Sequence, residues 1–248
     1  MNWTYLILFA VGIVAGTLNI IAGGGSFLSM PALIFLGLDA TVANGTNRVA
    51  IFLQNIGAVW GFQRHGVVDW RYVLWAAVPA TCGSAVGAWA AVVIPAAIFQ
   101  KILAFLMIAV TLWTLWDPLK KKEPAPESHR PRVLLLALGF FFVGIYGGFV
   151  QAGVGFLILA ATTMAGLDLV RGNAVKVLTI LVYTSLALAI FAVGGKVDWT
   201  LGLVLAAGNV IGSLIGVRLT VLKGHAWVKS IVTVAVIVLA IKLLIEGL

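Results

Sequence analysis

Apolar residues in this chain run in long unbroken stretches, with polar residues gathered between them rather than alternating along them. The stretches lie near 3–22, 26–38, 46–62, 70–93 and 97–116, and again near 132–150, 153–166, 175–193, 199–221 and 227–247. Most approach the ~20 residues that a helix needs to cross the hydrocarbon core of a bilayer. Two do not. At 1.5 Å per residue, the stretches 26–38 and 153–166 reach only part of the way and are predicted as half-helices. Each follows a glycine-rich interruption, Ala22-Gly23-Gly24-Gly25-Ser26-Phe27 in the first case and Gln151-Ala152-Gly153-Val154-Gly155-Phe156 in the second. Without period-2 alternation a membrane β-barrel is excluded. The prediction is an all-α polytopic membrane protein with roughly eight full spans and two short half-helices.

The two sets of stretches are copies of one another. Shifting the chain by 129 residues without a gap pairs Gly37-Leu38-Asp39 with Gly166-Leu167-Asp168 and Val68-Asp69-Trp70 with Val197-Asp198-Trp199. It also pairs Gly83-Ser84 and Gly87 with Gly212-Ser213 and Gly216, and between positions 24 and 92 it gives 21 identities in 69 aligned positions. Several of these are non-aliphatic, which an apolar composition rarely gives by chance. The chain therefore divides into a first transmembrane repeat at 1–116, a polar, proline-rich linker at 117–131 and a second repeat at 132–248.

Charge sets the expected orientation. Lys120, Lys121, Lys122 and Arg130 crowd the linker and Arg132 follows it, which places this segment in the cytoplasm by the positive-inside rule. Counting outward, the loops with Arg64 and Arg71, with Arg171, and with Lys223 and Lys229 fall on the same side, and only Lys196 offends. The repeat-equivalent Arg64 and Lys196 loops then lie on opposite faces. About five segments per half, an odd number, predict two inverted repeats, an architecture that places substrate sites on broken helices near the midplane.

Composition agrees: 62% of residues are hydrophobic and 10% charged, with a mean hydropathy of +1.13. A net charge of +8 is here a topology signal rather than a nucleic-acid footprint. The expected surroundings are the lipid bilayer of the cell inner membrane, a small anionic substrate and a possible homodimer. The start Met1-Asn2-Trp3 lacks the basic region of a signal peptide, so the first stretch is expected to stay as a membrane helix. Trp3, Trp70, Trp116 and Trp199 fall near segment ends, as interfacial aromatics do. Cys82 is the one cysteine, which rules out an intramolecular disulfide and a multi-cysteine metal site.

No enzyme is expected. His65, His129 and His225 fall in loops, no zinc-protease or serine-hydrolase motif is present, and all eight carboxylates lie at segment ends, in links or at the terminus. Candidate chemistry gathers instead around the breaks. Gly24, Gly25 and Ser26 open one short helix, and Gln151 and Gly153 precede the other. Backbone N–H groups at such helix starts face anions well, although small residues equally let helices pack closely. Asn44, Asn47 and Arg48 open the next stretch, which continues through Gln54 and Asn55. Their counterparts are Asn173 and Lys176, followed by Tyr183. A basic residue near the start of a membrane helix often snorkels to the interface, yet here one recurs in both copies, one position apart. Arg48 and Lys176 are expected on related sides of one cavity, with Gln54, Gln151 and Tyr183 as neutral donors for a small anion. The Gly83/Gly87 and Gly212/Gly216 patterns and Asn209 are assigned to helix packing.

At the run from Gly16 to Ser26, the short segment containing Pro31, Asn44-Gly45-Thr46-Asn47-Arg48, and Gly66-Val67-Val68-Asp69-Trp70, the chain resembles the sulfite exporter TauE/SafE family of membrane permeases. The likeness covers essentially the whole chain. It implies transport of sulfite, organosulfonates or related sulfur-containing anions. The second copy departs from the first with Ala174-Val175-Lys176 in place of Gly45-Thr46-Asn47. A passive anion channel and a non-transporting membrane scaffold stay open as alternatives at this point.

Overall fold

The computed structural model describes residues 3–115 and 133–245, without the side chains of 107–108, 110–115, 133–136 and 224–245. The linker at 117–131 and Trp116 lie outside the described residues. Among those described, every regular element is an α-helix: α1 (Trp3–Ile21), α2 (Ser26–Phe35), α3 (Ala40–Arg64), α4 (Trp70–Val93), α5 (Ala96–Leu115), α6 (Val133–Phe149), α7 (Val154–Met164), α8 (Leu169–Val193) and α9 (Trp199–Ile245). Among the described residues four stretches are long and apolar enough to cross a membrane: Trp3–Ile21, Trp70–Val93, Leu169–Val193 and Trp199–Lys223. The chain is a multi-pass helical membrane protein. Helix α3 has the length, at 25 residues, but carries Asn44, Thr46, Asn47, Arg48, Gln54 and Asn55 as buried polar residues.

Helices α2 and α7 contain 10 and 11 residues, about 15 Å at 1.5 Å per residue, half a bilayer core. The chain enters them through backbone that only glycine adopts easily. Gly23 has φ +90° and Gly153 φ +74°, in the left-handed region where a Cβ is penalised. The two breaks touch. A Cβ on Gly23 would strike the backbone of Gly155, and one on Gly155 would strike that of Gly23. Just beyond, Phe27 and Phe156, equivalent in the repeat, sit with ring centroids 6.5 Å apart.

Close contacts fix the helix directions. Gly12 abuts Leu205, Gly16 abuts Asn209 and Gly216 abuts Ile20, so α1 and the first part of α9 run the same way. Gly202 against Val49 and Gly61 against Val217 align α3 with α9. On the other side Gly144 meets Ala80 and Gly148 meets Ser84, which makes α6 parallel to α4. Ser84 donates to the Tyr183 carbonyl at 3.2 Å, and Gly194 abuts Val92, which makes α8 parallel to α4. Between the groups the sense reverses. Gly45 at the start of α3 lies against Phe191 near the end of α8, while Ala58 and Phe62 near the end of α3 share an apolar cluster with Ala174 and Val177 near the start of α8. Since α1 and α3 are parallel, the short α2 carries the chain back between them, and α7 does the same between α6 and α8. The Gly83/Gly87 and Gly212/Gly216 patterns sit at these packing seams, against α6 and α1 respectively.

Two boundaries differ from expectation. Helix α3 begins at Ala40 rather than 46, because Asn44-Gly45-Thr46-Asn47 is buried among other helices, whose contacts hold residues of modest helix propensity in helical form. Helix α9 continues to Ile245 through Lys223, His225 and Lys229, which the sequence places in a loop. No proline interrupts Leu222-Lys223-Gly224-His225-Ala226, and one glycine costs a helix only about 1 kcal/mol. The carboxylates at helix starts act as caps: Asp69 accepts from the Arg71 and Tyr72 amides, and Asp168 from those of Val170 and Arg171.

Candidate functional site

Arg48 projects from the third turn of α3 across to the other half of the molecule. Its guanidinium is fully buried (0% exposed) and meets the C-terminal end of α6. Nη1 donates to the Gly147 carbonyl at 3.1 Å and to Gln151 Oε1 at 3.0 Å. Nη2 donates to the Gly148 carbonyl. The last carbonyls of a helix have no partner within it and carry the negative end of its dipole, so a cation there is stabilised without a carboxylate. The Phe191 ring covers one guanidinium face, 4.5 Å from centroid to Cζ. Gln151 is positioned by strain: among the described residues it is the one non-glycine at positive φ, +67°. Such a conformation costs of order 1 kcal/mol and persists where the surroundings demand it.

Lys176 does the same thing in the opposite direction. Also buried, it leaves α8 for the C-terminal end of α1, where Nζ donates to the carbonyls of Asn19 at 3.0 Å and Ile20 at 2.7 Å, and to Asn173 Oδ1. The neighbouring amides follow suit. Asn44 Nδ2 donates to the Phe149 carbonyl at 2.7 Å and Asn173 Nδ2 to the Ile21 carbonyl at 3.3 Å. Each half thus closes the broken helix of the other with one cation and one asparagine.

Sequence-predicted site residues separate into groups. Arg48, Gln151 and Tyr183 come together: Tyr183 is fully buried, and its hydroxyl lies where a Cβ on Gly147 would come within 2.8 Å of it. Lys176 stands with Asn173 at the end of α1. Asn47 is taken up by α2, accepting from Ser29 Oγ at 2.7 Å and donating to Ser26 Oγ at 3.2 Å. Gln54 accepts from Asn209 Nδ2 at 2.9 Å, the interhelical bond expected of Asn209. Gly24 packs on the Phe156 ring, Gly25 lies against Ala15 and Asn19, and Gly153 forms the turn into α7. Three contributors carried no clear signal in the sequence. Phe191 and Ser29 become partners only through the fold, and Tyr146, whose hydroxyl donates to the Ala152 carbonyl, is one aromatic in an apolar run.

Among the described residues no carboxylate pairs with either buried cation; the ion pair there is Arg171 with Asp168, at 3.6 Å in an exposed turn. Among the described residues no group of His, Cys, Asp or Glu could hold a metal. The arrangement is a positively charged, donor-rich interior at the meeting of two helix breaks.

Known proteins place the chain among transporters. Residues 8–243 match the family model described as Sulfite exporter TauE/SafE. A Haemophilus influenzae protein named "Probable membrane transporter protein" is 31% identical over 97% of this chain and 94% of its own length. The Escherichia coli K12 protein "Probable membrane transporter protein YfcA" is 31% identical over 97% of this chain and 90% of its own length. A Sinorhizobium protein, "Probable membrane transporter protein ORF9", is 29% identical over 96% and 92%. No solved structure matches.

Proposed function

Because the chain belongs to the sulfite exporter TauE/SafE family, a family of membrane transporters, we propose that it moves a small oxyanion, sulfite or an organosulfonate, across the cell inner membrane by alternating access between two inverted repeats. The observation that carries the anion reading is Arg48, a buried guanidinium held by carbonyls and an amide of the other half with no carboxylate at hand. The antiparallel setting of α3 against α8, and the way α1 packs on α9 as α6 packs on α4, support the inverted relation. In this reading the linker faces the cytoplasm, the two breaks meet near the midplane, and α2 with α7 rock against the longer helices.

Purified protein in liposomes, loaded with unlabelled sulfite or methanesulfonate and presented with the labelled anion outside, should show counterflow, which a channel does not. Arg48→Met should abolish it while the protein still inserts. Counterflow at the wild-type rate in R48M refutes the site, and failure of every sulfur oxyanion to move refutes the substrate class.

A further inference from the structure

The two repeat-related cations differ in the donors they have left. An ammonium carries three N–H groups, and Lys176 places one on each of three acceptors, the Asn19 and Ile20 carbonyls and Asn173 Oδ1. It is saturated by the protein. A guanidinium carries five, and Arg48 uses three: two from Nη1 and one from Nη2. Its Nε–H is buried with no acceptor, and so is the Tyr183 hydroxyl. Gln151 stands beside that hydroxyl, but its carbonyl oxygen accepts from Arg48 and not from the phenol, and its Nε2 can donate to the phenol oxygen but cannot accept from it.

We propose that the oxyanion binds on one side of the pseudo-symmetric centre, its head accepting from Arg48 Nε–H and Tyr183 O–H, while Lys176 is a positioning residue that closes the end of α1 and does not touch substrate. This rests on the anion reading above and sharpens it. Three features shape the head group. Phe191 covers a face of the guanidinium, which leaves its edge for approach. Gly147 lets the Tyr183 hydroxyl reach the end of α6, since a Cβ there would come within 2.8 Å of its oxygen. Two donors from different helices call for at least two acceptor oxygens on one centre, as a sulfonate or sulfite has. The sequence departure between the halves, Asn47-Arg48 against Lys176-Val177, becomes a division of labour, because only the arginine can cap a helix end and keep a donor free.

The test is titration of the purified full-length protein with methanesulfonate and with sulfite by calorimetry, beside thermal unfolding of each variant. Tyr183→Phe removes one oxygen. Affinity for both anions should fall about 10-fold or more, the size of a hydrogen bond to a charged group, with thermal stability unchanged or raised because an unmatched buried hydroxyl is gone. Arg48→Lys, which keeps the charge and loses Nε–H, should lose affinity by at least as much. Lys176→Gln should melt lower yet bind within about threefold of wild type; if it yields no folded protein, Asn173→Ala reads the same side. Wild-type affinity in Y183F, or a loss in K176Q or N173A as large as in Y183F, overturns the one-sided site. If wild type binds neither anion, the anion reading itself falls.

Discussion

Gly155→Ala puts the meeting of the two breaks to the test, because its two effects have opposite sign and known size. Gly155 is the second residue of α7, so alanine there gains at most about 1 kcal/mol of helix propensity. Against this, the new Cβ collides with the Gly23 Cα and comes within 3.0 Å of its carbonyl oxygen. These are backbone atoms of the other half and cannot swing aside as a side chain would. Overpacking of this kind costs about 1–3 kcal/mol, and a backbone obstacle belongs at the upper end, so the net loss is about 1–2 kcal/mol. For a chain of this size that is roughly 3–6 °C in Tm. Gly139→Ala is the control: it sits in α6 with nothing within 4 Å of the added Cβ, and should melt at or slightly above the wild type. Thermal unfolding in one detergent, read by tryptophan fluorescence, compares the three proteins, and counterflow in liposomes should fall in G155A only. Equal melting of G155A and G139A would refute the claim that the breaks are in backbone contact.

Two further outcomes follow from the same contacts. Asn47→Ala strands the Ser29 and Ser26 hydroxyls that it ties to α3 and should cost about 1–3 kcal/mol, seen as a lower Tm and as faster proteolysis near the Gly37 turn. Asp168→Ala removes the side chain that accepts from the Val170 and Arg171 amides; loss of such a cap costs about 1 kcal/mol, and Asp168→Asn should restore most of it.

Much of this architecture was legible in the chain. Apolar length marked the spans, and the short stretches at 26–38 and 153–166 became α2 and α7 because too few residues lie between the glycine breaks and the Gly37 and Gly166 turns. The repeat offset made Asn44 and Asn173 partners before any contact was seen, and both cap the opposite half's broken helix. What periodicity and spacing could not supply was the use of each polar group. Asn47 and Arg48 are neighbours in sequence, yet on a helix adjacent residues point about 100° apart, so one serves α2 and the other crosses to α6. Nor could charge alone distinguish Arg48 from Lys176. Each meets two helix-end carbonyls and one side-chain amide oxygen, so the difference lies in five donors against three, and that each finds three acceptors and no more is decided by the packing at the ends of α1 and α6. The continuous α9 was missed for a simpler reason: a lone glycine among helix-tolerant residues is a weak stop.

Two buried cations without a carboxylate also bear on which ions the interior admits. Dehydrating each charge costs several kcal/mol, and the carbonyls at the ends of α1 and α6 offset part of that, each helix end carrying about half an elementary charge. A residual positive potential therefore remains at the centre. At an effective dielectric of about 20, a unit charge about 6 Å from Arg48 feels about 1.4 kcal/mol from the remaining half charge. That sum repels a cation and attracts an anion equally, so the two are separated by about 3 kcal/mol, roughly two powers of ten in occupancy. Helix-end carbonyls, often read as a cation site, are here already occupied by Arg48 and Lys176. The same groups that would bind sodium in an unfilled break instead hold the charges that exclude it. On the proposed reading, discrimination between one oxyanion and another comes from geometry at Arg48 and Tyr183, because the competing anions carry the same charge that the centre selects.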